Sequence, residues 1–147
     1  MDRAFLDANV LFSAAYRADS GLLRIFALPG VAIVSSGYAV EEARRNLEPG
    51  AQIARLDGLL SGVEVSRSEA PVDIVPAHIV LPEDDRPILA AAISARCTHL
   101  LSGDARAFGP YFEKRIAGVL IQKPAAFLVP RQTCDGSRPS FRELSTR

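Results

Sequence analysis

Four acidic residues occupy positions from which their carboxylates could act together. Asp7 directly follows the first short apolar run of the chain, and Asp104 follows a later apolar run through a Ser-Gly turn. Asp85 lies in the first turn of the helical segment that leads into that later run, and Glu42 lies inside an earlier helical segment. Oxygen ligands without a His or Cys partner suit a hard cation, so these residue types predict a Mg²⁺ or Mn²⁺ site.

A cluster of carboxylates is costly unless a cation or a proton relieves the repulsion. Like charges ~4 Å apart repel by about 1 kcal/mol in water and by about 4 kcal/mol at an effective dielectric constant of about 20. Either some of the acids are protonated or a cation lies among them. Zn²⁺ is not expected, because His78 and His99 have no ligand spacing. A Mg²⁺ or Mn²⁺ ion can lower the pKa of bound water and orient a phosphodiester for in-line attack.

Each acid, taken alone, also has an ordinary structural explanation. An acid after a strand commonly forms a turn or caps a helix, and acids in a first helical turn are favoured by the helix dipole. Glu42 stands beside Glu41, Arg44 and Arg45, as on a solvated charged face. Only the ordered set, with each acid on its appropriate element, indicates a functional site.

The elements that position these acids follow from apolar periodicity and from the breaking residues between the runs. Strands are predicted over residues 3–6, 31–34, 63–65, 99–101 and 118–121. Helices are predicted over residues 8–16, 22–28, 37–47, 51–60, 82–96, 105–108 and 124–128. This alternation is typical of an α/β protein with a parallel sheet covered on both faces. The carboxyl ends of parallel strands share one edge, where we expect Asp7 and Asp104 to emerge.

Length and composition are those of one ordinary globular domain. The chain has 147 residues, of which 48% are apolar and 23% charged, which excludes disordered, collagen-like and coiled-coil classes. The apolar period is lost near residue 130, so we expect a domain over residues 1–130 and a C-terminal tail over residues 131–147. No signal peptide and no apolar stretch of about 18 residues is present, which predicts a cytoplasmic protein without a membrane segment.

The formal net charge is zero, with 17 Lys and Arg against 17 Asp and Glu. Taken alone, this argues against a nucleic-acid partner, which usually shows as a basic excess. If the four acids surround an ion, however, the 17 basic residues face only 13 other acids. Fifteen of the basic residues are arginines, whose planar donors suit phosphate, although a GC-rich genome explains the same bias. The zero sum therefore does not exclude RNA.

The same residues, in their order, resemble the PIN-domain family. The matching segments are Leu6-Asp7-Ala8-Asn9-Val10-Leu11, Glu42 five residues before Leu47, Asp85-Arg86-Pro87 with the helix that follows, and Leu101-Ser102-Gly103-Asp104 with Phe108. The resemblance covers about residues 4–128. It implies a three-layer α/β/α fold with a central, mostly parallel sheet.

The resemblance also implies an activity and partners. It implies a Mg²⁺- or Mn²⁺-dependent endoribonuclease that cleaves single-stranded RNA to 5′-phosphate products. Small bacterial members are usually the VapC-type toxin of a type II toxin–antitoxin pair, although one chain does not distinguish that role from a housekeeping nuclease. The expected partners are therefore an RNA substrate, a cognate antitoxin protein and a second copy of the chain in a homodimer.

Carried over residue by residue, the family's catalytic positions fall on Asp7, Glu42, Asp85 and Asp104. The three aspartates would hold the metal, directly or through water, and the glutamate would position or deprotonate the attacking water. The small polar positions that orient ligands and water fall on Asn9 and Ser102.

Two neighbouring acids and one departure qualify this match. Glu41 and Asp84 are the ambiguous neighbours. Glu42 is preferred because the family's acid stands five residues before the leucine that ends the motif, and Asp85 because it directly precedes the Arg-Pro helix start. Many members carry a further acid shortly after Asp104, where this chain has Ala, Arg and Ala. A second metal would then be weakly held or absent.

Two arginines closely follow the predicted acids. Arg86 stands directly after Asp85, and Arg106 stands two residues after Asp104. They could bind phosphates that flank the cleaved bond, or they could form salt bridges with the acids that they follow. The sequence leaves both interpretations open.

Three other functions compete with the nuclease. A phosphatase with a nucleophilic aspartate needs an acid where this chain has Asn9, and a phospho-receiver domain needs an acidic pair where it has the single Asp7. A nuclease-like fold that binds RNA or a partner without cutting is the main alternative. Binding without metal-dependent turnover would distinguish it.

Overall fold

The computed structural model describes residues 1–133, which build a six-stranded central sheet. The strands are β1 (Asp2–Leu6), β2 (Val31–Ser36), β3 (Val63–Ser66), β4 (His99–Leu101), β5 (Arg115–Ile116) and β6 (Val119–Gln122). Their order across the sheet is β3-β2-β1-β4-β6-β5, and every neighbouring pair is parallel except β5 and β6. The predicted central, mostly parallel sheet is confirmed.

Helices connect these strands. They are α1 (Ala8–Tyr16), α2 (Gly37–Asn46), α3 (Ala51–Leu60), α4 (Arg86–Ser94), α5 (Ala105–Phe108) and α6 (Pro124–Thr133), with short 3-10 helices at Gly21–Ala27, Val72–Ile74 and Gly109–Tyr111. The bounds of α1, α3 and α5 are those predicted, because a capping or breaking residue marks their ends. None of the helices in residues 1–133 has the length and apolar character that a membrane crossing requires.

The middle of the sheet is buried on both faces. Ala4, Phe5 and Leu6 of β1 are all fully buried, although successive residues of a strand point to opposite faces. Leu100 and Leu101 of β4 are fully buried in the same way. Helices therefore cover both faces, and the predicted three-layer α/β/α arrangement is confirmed.

Several helices begin where the parallel strands end. Asp7 caps α1, Ser36 caps α2 and Asp104 caps α5, each by accepting hydrogen bonds from backbone N–H groups of the first turn. Asp85 precedes α4, but its side chain makes no capping bond. Asp7 and Asp104 thus each use one carboxylate oxygen to cap a helix, whereas Asp85 does not.

The structure differs from the sequence prediction in several places. Residues 21–27 form a 3-10 helix rather than an α-helix, and β5 was missed because two residues are too few to show alternation. Residues 82–85 form a turn, so α4 begins at Arg86. The last helix continues to Thr133, with Pro130 inside it, beyond its predicted end at residue 128. Residues 134–147 of the predicted tail lie outside the described residues.

Candidate active site

The four predicted acids line one open cleft of about 610 Å³. Its walls come from α1, α2, the start of α4 and the turn between β4 and α5. The lining residues are Asp7, Ala8, Asn9, Phe12, Ser13, Glu42, Ala43, Asn46, Asp85, Gly103 and Asp104. Among the described residues, no lysine or arginine lines this cleft. The topology thus gathers four carboxylates from four segments of the chain, with no cationic side chain of residues 1–133 among them.

Asp7 is the most enclosed of these acids, with 4% of its surface exposed. Its Oδ1 accepts a hydrogen bond from the backbone N–H of Ala8 at 2.7 Å, which caps α1. Its Oδ2 accepts from the Ser102 hydroxyl at 2.7 Å and from the Asn9 side-chain amide at 3.2 Å. These bonds hold the carboxylate in one orientation, facing the cleft.

Asn9 and Ser102 tie the end of β1 to the turn after β4. The amide of Asn9 donates to the Ser102 hydroxyl at 3.3 Å, and its Oδ1 accepts from the backbone N–H of Gly103 at 2.9 Å. The Ser102 hydroxyl also accepts from the backbone N–H of Asp104 at 3.0 Å. A Cβ added at Gly103 would come within 3.4 Å of Asn9 Oδ1, so this turn is tightly packed against the amide. The two residues therefore position Asp7 and Asp104 relative to each other.

Asp104 and Asp85 present carboxylates with fewer partners. Oδ1 of Asp104 accepts from the N–H groups of Arg106 and Ala107 at 3.0 and 3.2 Å, while its Oδ2 accepts no hydrogen bond within residues 1–133. The half-buried Asp85 side chain accepts none from this part of the chain. Both groups therefore keep oxygen atoms available to a ligand in the cleft.

The structure separates each candidate acid from its neighbour in sequence. Glu42 lines the carboxylate cleft, whereas Glu41 lines a second groove between α2 and β3 on the other side of that helix. Asp85 lines the cleft, whereas Asp84 is exposed and its backbone carbonyl accepts a hydrogen bond from the Tyr38 hydroxyl at 3.0 Å. Tyr38 thereby ties the turn that carries Asp85 to the helix that carries Glu42.

Burial and mutual repulsion shape the electrostatics of the cleft. Burial raises the pKa of Asp7 above its usual value, against the hydrogen bonds from Ser102 and Ala8, and the charges of Glu42 and Asp104 raise it further. Burial, followed by repulsion from the other carboxylates of the cleft, raises the pKa of Asp85 to about 6. The carboxylates therefore destabilise one another when all are ionised, as expected of a site that a cation completes.

The donor set suits a hard cation, although the carboxylates do not form a ready-made cage. Within the part of the chain that the structure describes, no three His, Cys, Asp or Glu side chains group closely enough to hold an ion among them. Mg²⁺ is usually bound through one or two carboxylates and keeps several of its waters, so an all-oxygen cleft with room for water is chemically suitable. Asp7, Asp85 and Asp104 are the groups that could hold such an ion.

The two candidate phosphate-binding arginines do not line the cleft. The Arg86 guanidinium turns away and donates to the backbone carbonyl of Ile79 at 2.9 Å. Arg106 is exposed, and within residues 1–133 neither arginine forms a salt bridge with the acid that it follows. For Arg86 the structure thus shows a third role, which is to hold the segment before α4.

One aromatic and two polar residues of the cleft wall were not predicted from the sequence. Phe12, Ser13 and Asn46 line it together with the carboxylates. Helical spacing could have found them: Phe12 and Ser13 stand three and four residues after Asn9, and Asn46 stands four residues after Glu42. They extend the cleft from the carboxylates along the groove between α1 and α2.

Comparisons with known proteins identify the fold. No protein-family model and no curated protein matches the sequence. A chain of VapBC2 from Rickettsia felis, bound to a DNA fragment from their promoter, aligns with a TM-score of 0.62 and 14% identity over 82% of this chain and 98% of that chain. A chain of FitAB bound to the IR36 DNA fragment aligns with a TM-score of 0.53 and 19% identity over 82% of this chain and 94% of that chain.

These two likenesses show that the chain shares its fold with a chain of each complex, which confirms the PIN-like fold expected from the sequence. VapC20 from Mycobacterium tuberculosis, described as a sarcin-ricin loop cleaving toxin, reaches a TM-score of 0.47 with 18% identity over 69% of this chain and 91% of that chain, too low to add to the assignment. At such identities the likeness extends to the fold, and what this chain does has to be argued from its own cleft.

Proposed function

We propose that this chain is a metal-dependent endoribonuclease that cleaves single-stranded RNA. The observation that carries the proposal is the gathering of Asp7, Glu42, Asp85 and Asp104 around one cleft at the carboxyl edge of the sheet. A second support is the raised pKa values of Asp7 and Asp85, because buried and mutually repelling carboxylates are costly unless a cation offsets their charge.

Each residue of the cleft has a distinct role in this proposal. Asp7, Asp85 and Asp104 would hold Mg²⁺ or Mn²⁺, which supplies Lewis-acid stabilisation of the phosphodiester and acidification of water. Glu42, at the half-buried wall of α2, accepts the proton of the attacking water. Asn9 and Ser102 fix the orientation of the Asp7 carboxylate through the hydrogen bonds at its Oδ2.

The biological role that we propose is the toxin of a type II toxin–antitoxin pair. The support is the likeness of the fold to chains of the VapBC2 and FitAB complexes, together with the motif resemblance to VapC-type PIN domains. The proposal includes a cognate antitoxin protein, a homodimer and action in the cytoplasm. Growth arrest on expression, relieved by co-expression of an antitoxin-like reading frame encoded immediately upstream, tests this role separately from the chemistry.

The chemistry is tested by single carboxylate substitutions on purified protein. Asp7→Asn and Asp104→Asn should each lower kcat/KM for a labelled single-stranded RNA in Mg²⁺ by about a hundredfold or more. The matched controls are Asp84→Asn and Glu41→Gln, which remove an acid next to Asp85 or Glu42 that does not line the cleft. Undiminished cleavage by Asp7→Asn or Asp104→Asn would contradict the assignment.

The same assay separates the nuclease from the binding-only alternative. A protein that binds RNA but shows no turnover in Mg²⁺ or Mn²⁺ would be an RNA-binding module with a nuclease-like fold. A nuclease should lose its activity in EDTA and regain it when either ion is added in excess. Cleavage in EDTA by the purified protein would exclude the proposed metal dependence.

A further inference from the structure

An aromatic pair continues the wall of the cleft away from the carboxylates. The rings of Phe12 and Tyr16 lie 5.2 Å apart between centroids and are tilted by 35°. Phe12 is half-buried and lines the cleft, whereas 48% of the surface of Tyr16 is exposed. The two residues stand four apart on α1, on the same helix face as Asn9, so the wall runs from the carboxylates along the helix to Tyr16.

The end of α1 that carries Tyr16 is held firmly by α3. The guanidinium of Arg55 donates to the backbone carbonyls of Ala15 and Tyr16 at 2.9 and 3.1 Å. The side-chain amide of Gln52 donates to the same Tyr16 carbonyl at 3.3 Å. These bonds satisfy carbonyl groups at the end of the helix, so the exposed ring stands on a fixed backbone.

Tyr16 differs from the other tyrosines of the chain in what its hydroxyl does. The hydroxyl of Tyr38 donates to the Asp84 carbonyl, and the hydroxyl of Tyr111 pairs with the backbone of Val80. Within residues 1–133, no hydrogen bond engages the hydroxyl of Tyr16, and the ring contact of this side chain is the one with Phe12. Among the residues that the structure describes, this exposed ring therefore has no ring or hydrogen-bond partner beyond its neighbour in the pair.

Charge along this wall changes from acidic to basic. The carboxylates cluster at the start of α1, whereas Arg55 lies against its end and Arg17 follows it directly. Arg17 is paired with Asp19 at 3.4 Å, but both side chains are largely exposed, so that pair is weak and open to exchange. An exposed aromatic ring on a helix end that is followed by an exposed arginine has the chemistry to hold an unstacked base and its phosphate.

We propose that Phe12 and Tyr16 form a stacking platform for one base of the single-stranded RNA, next to the bond that is cut. The platform rests on the proposed nuclease function and extends it to how the substrate is held. Proteins that bind single-stranded RNA combine basic groups for the backbone with aromatic side chains on which bases stack, and such stacking tolerates any base. Tyr16 is a substrate-positioning residue in this proposal and takes no part in proton transfer.

The test uses fluorescence, because the chain contains no tryptophan. Tyr16→Trp, in an Asp104→Asn background that keeps the RNA intact, places a single indole on the platform. Binding of a short single-stranded RNA should quench its emission. The control is Val129→Trp in the same background, since Val129 is 56% exposed on α6 and does not line the cleft. The emission of the Val129→Trp control should not change when the RNA binds.

Affinity provides the second measurement, by anisotropy of a labelled RNA in the same background. Tyr16→Ala should raise the Kd about tenfold. Tyr16→Phe should change the Kd less than about twofold, because the aromatic ring remains. An abasic nucleotide, which has no base to stack, is then placed at each position of the RNA in turn. At the position whose base stacks on Tyr16, Tyr16→Ala should not raise the Kd further. A general loss of structure would weaken binding at every abasic position alike.

The outcomes separate this proposal from the nuclease. The platform would be contradicted if RNA bound without quenching the indole at position 16, or if Tyr16→Ala left the Kd unchanged. Carboxylate-dependent cleavage by the wild-type chain would still support the nuclease in either case. Equal quenching at positions 16 and 129 would also overturn it. A wild-type chain that neither binds nor cleaves RNA would overturn the platform and the proposed function together.

Discussion

The two edges of the sheet hold their acidic residues in opposite ways. Near the amino edge, Asp2 is paired with Arg131, and Glu64 accepts two hydrogen bonds from the Arg3 guanidinium at 2.9 and 3.1 Å. At the carboxyl edge, the acids of the cleft meet one another and no basic side chain lines their cavity among the described residues. The same kind of residue is thus neutralised at one edge and left concentrated at the other.

The difference separates acids whose charge stabilises the folded protein from acids whose charge destabilises it. The hydrogen bond from Arg3 lowers the pKa of Glu64, whereas burial and neighbouring charge raise the pKa of Asp85 to about 6. A chain selected for stability alone would not keep unpaired carboxylates in a half-buried cleft. We infer that the carboxyl edge is kept for chemistry and the amino edge for structure.

The largest expected effect comes from removing one charge of the carboxyl edge. Asp85→Asn should lower Mg²⁺-dependent RNA cleavage by about a hundredfold or more, since the half-buried carboxylate makes no capping bond and is free to serve the cleft. Asp84→Asn is the matched control and should retain cleavage within about threefold. Equal losses in the two variants, measured as kcat/KM, would show that position 85 has no special role.

At the amino edge, the expected loss is one of stability. Arg3→Ala should lower the free energy of unfolding by about 2 kcal/mol, because it leaves the Ala95 carbonyl and the Glu64 carboxylate without their donor. Urea denaturation measures this change. Catalysis by the folded variant should be unaffected, and a selective loss of activity would break the distinction between the two edges.

The raised pKa of Asp85 should make the stability of the protein depend on pH. The folded-state pKa of Asp85 is raised, so its contribution to stability is present below pH ~4 and is lost as pH rises through about 6. Without metal, Asp85→Asn should therefore gain about 1 kcal/mol over the wild type between pH 4 and pH 7, a figure reduced for solvent screening. Thermal melts in EDTA at both pH values measure the gain, and no change with pH would contradict it.

The smallest effect concerns a hydrogen bond that supports the cleft from outside. Tyr38→Phe removes the donor to the Asp84 carbonyl and should lower the free energy of unfolding by about 0.5–1 kcal/mol. Tyr16→Phe is its control, because the Tyr16 hydroxyl has no partner within residues 1–133. Melting curves should shift for the first variant and not for the second. Equal shifts would mean that the bond to Asp84 contributes nothing of its own.

Much of the fold could be predicted because its signals are local. Asp7 and Asp104 each follow a short apolar run, and alternation of strands with helices is enough to bring such residues to one edge. α1 matched its predicted bounds because Asp7 caps it at one end and its apolar stripe ends at the other. The distinction between Glu42 and Glu41 came from motif spacing, and α2 indeed turns these two side chains toward different cavities.

What could not be predicted depends on contacts between distant segments. The engagement of Arg86 with the Ile79 carbonyl has no signature in local pattern, and neither does the bond from Tyr38 to Asp84. Tyr16 did leave a signal, because it falls outside the buried stripe of Val10, Leu11, Ala14 and Ala15, whereas Phe12 packs partly against the core. An exposed aromatic residue off the apolar face of a helix indicates a candidate binding surface.

The hydrogen bond from Ser102 to Asp7 joins residues 95 positions apart. Local contacts form first during folding, and a contact of this separation forms only after the intervening chain has been brought together. A nascent polypeptide therefore carries Asp7 without the turn that orients it until Ser102 has been added. Incomplete chains that end before Ser102 lack this contact, so the cleft can assemble only after the turn that carries Ser102 has been synthesised.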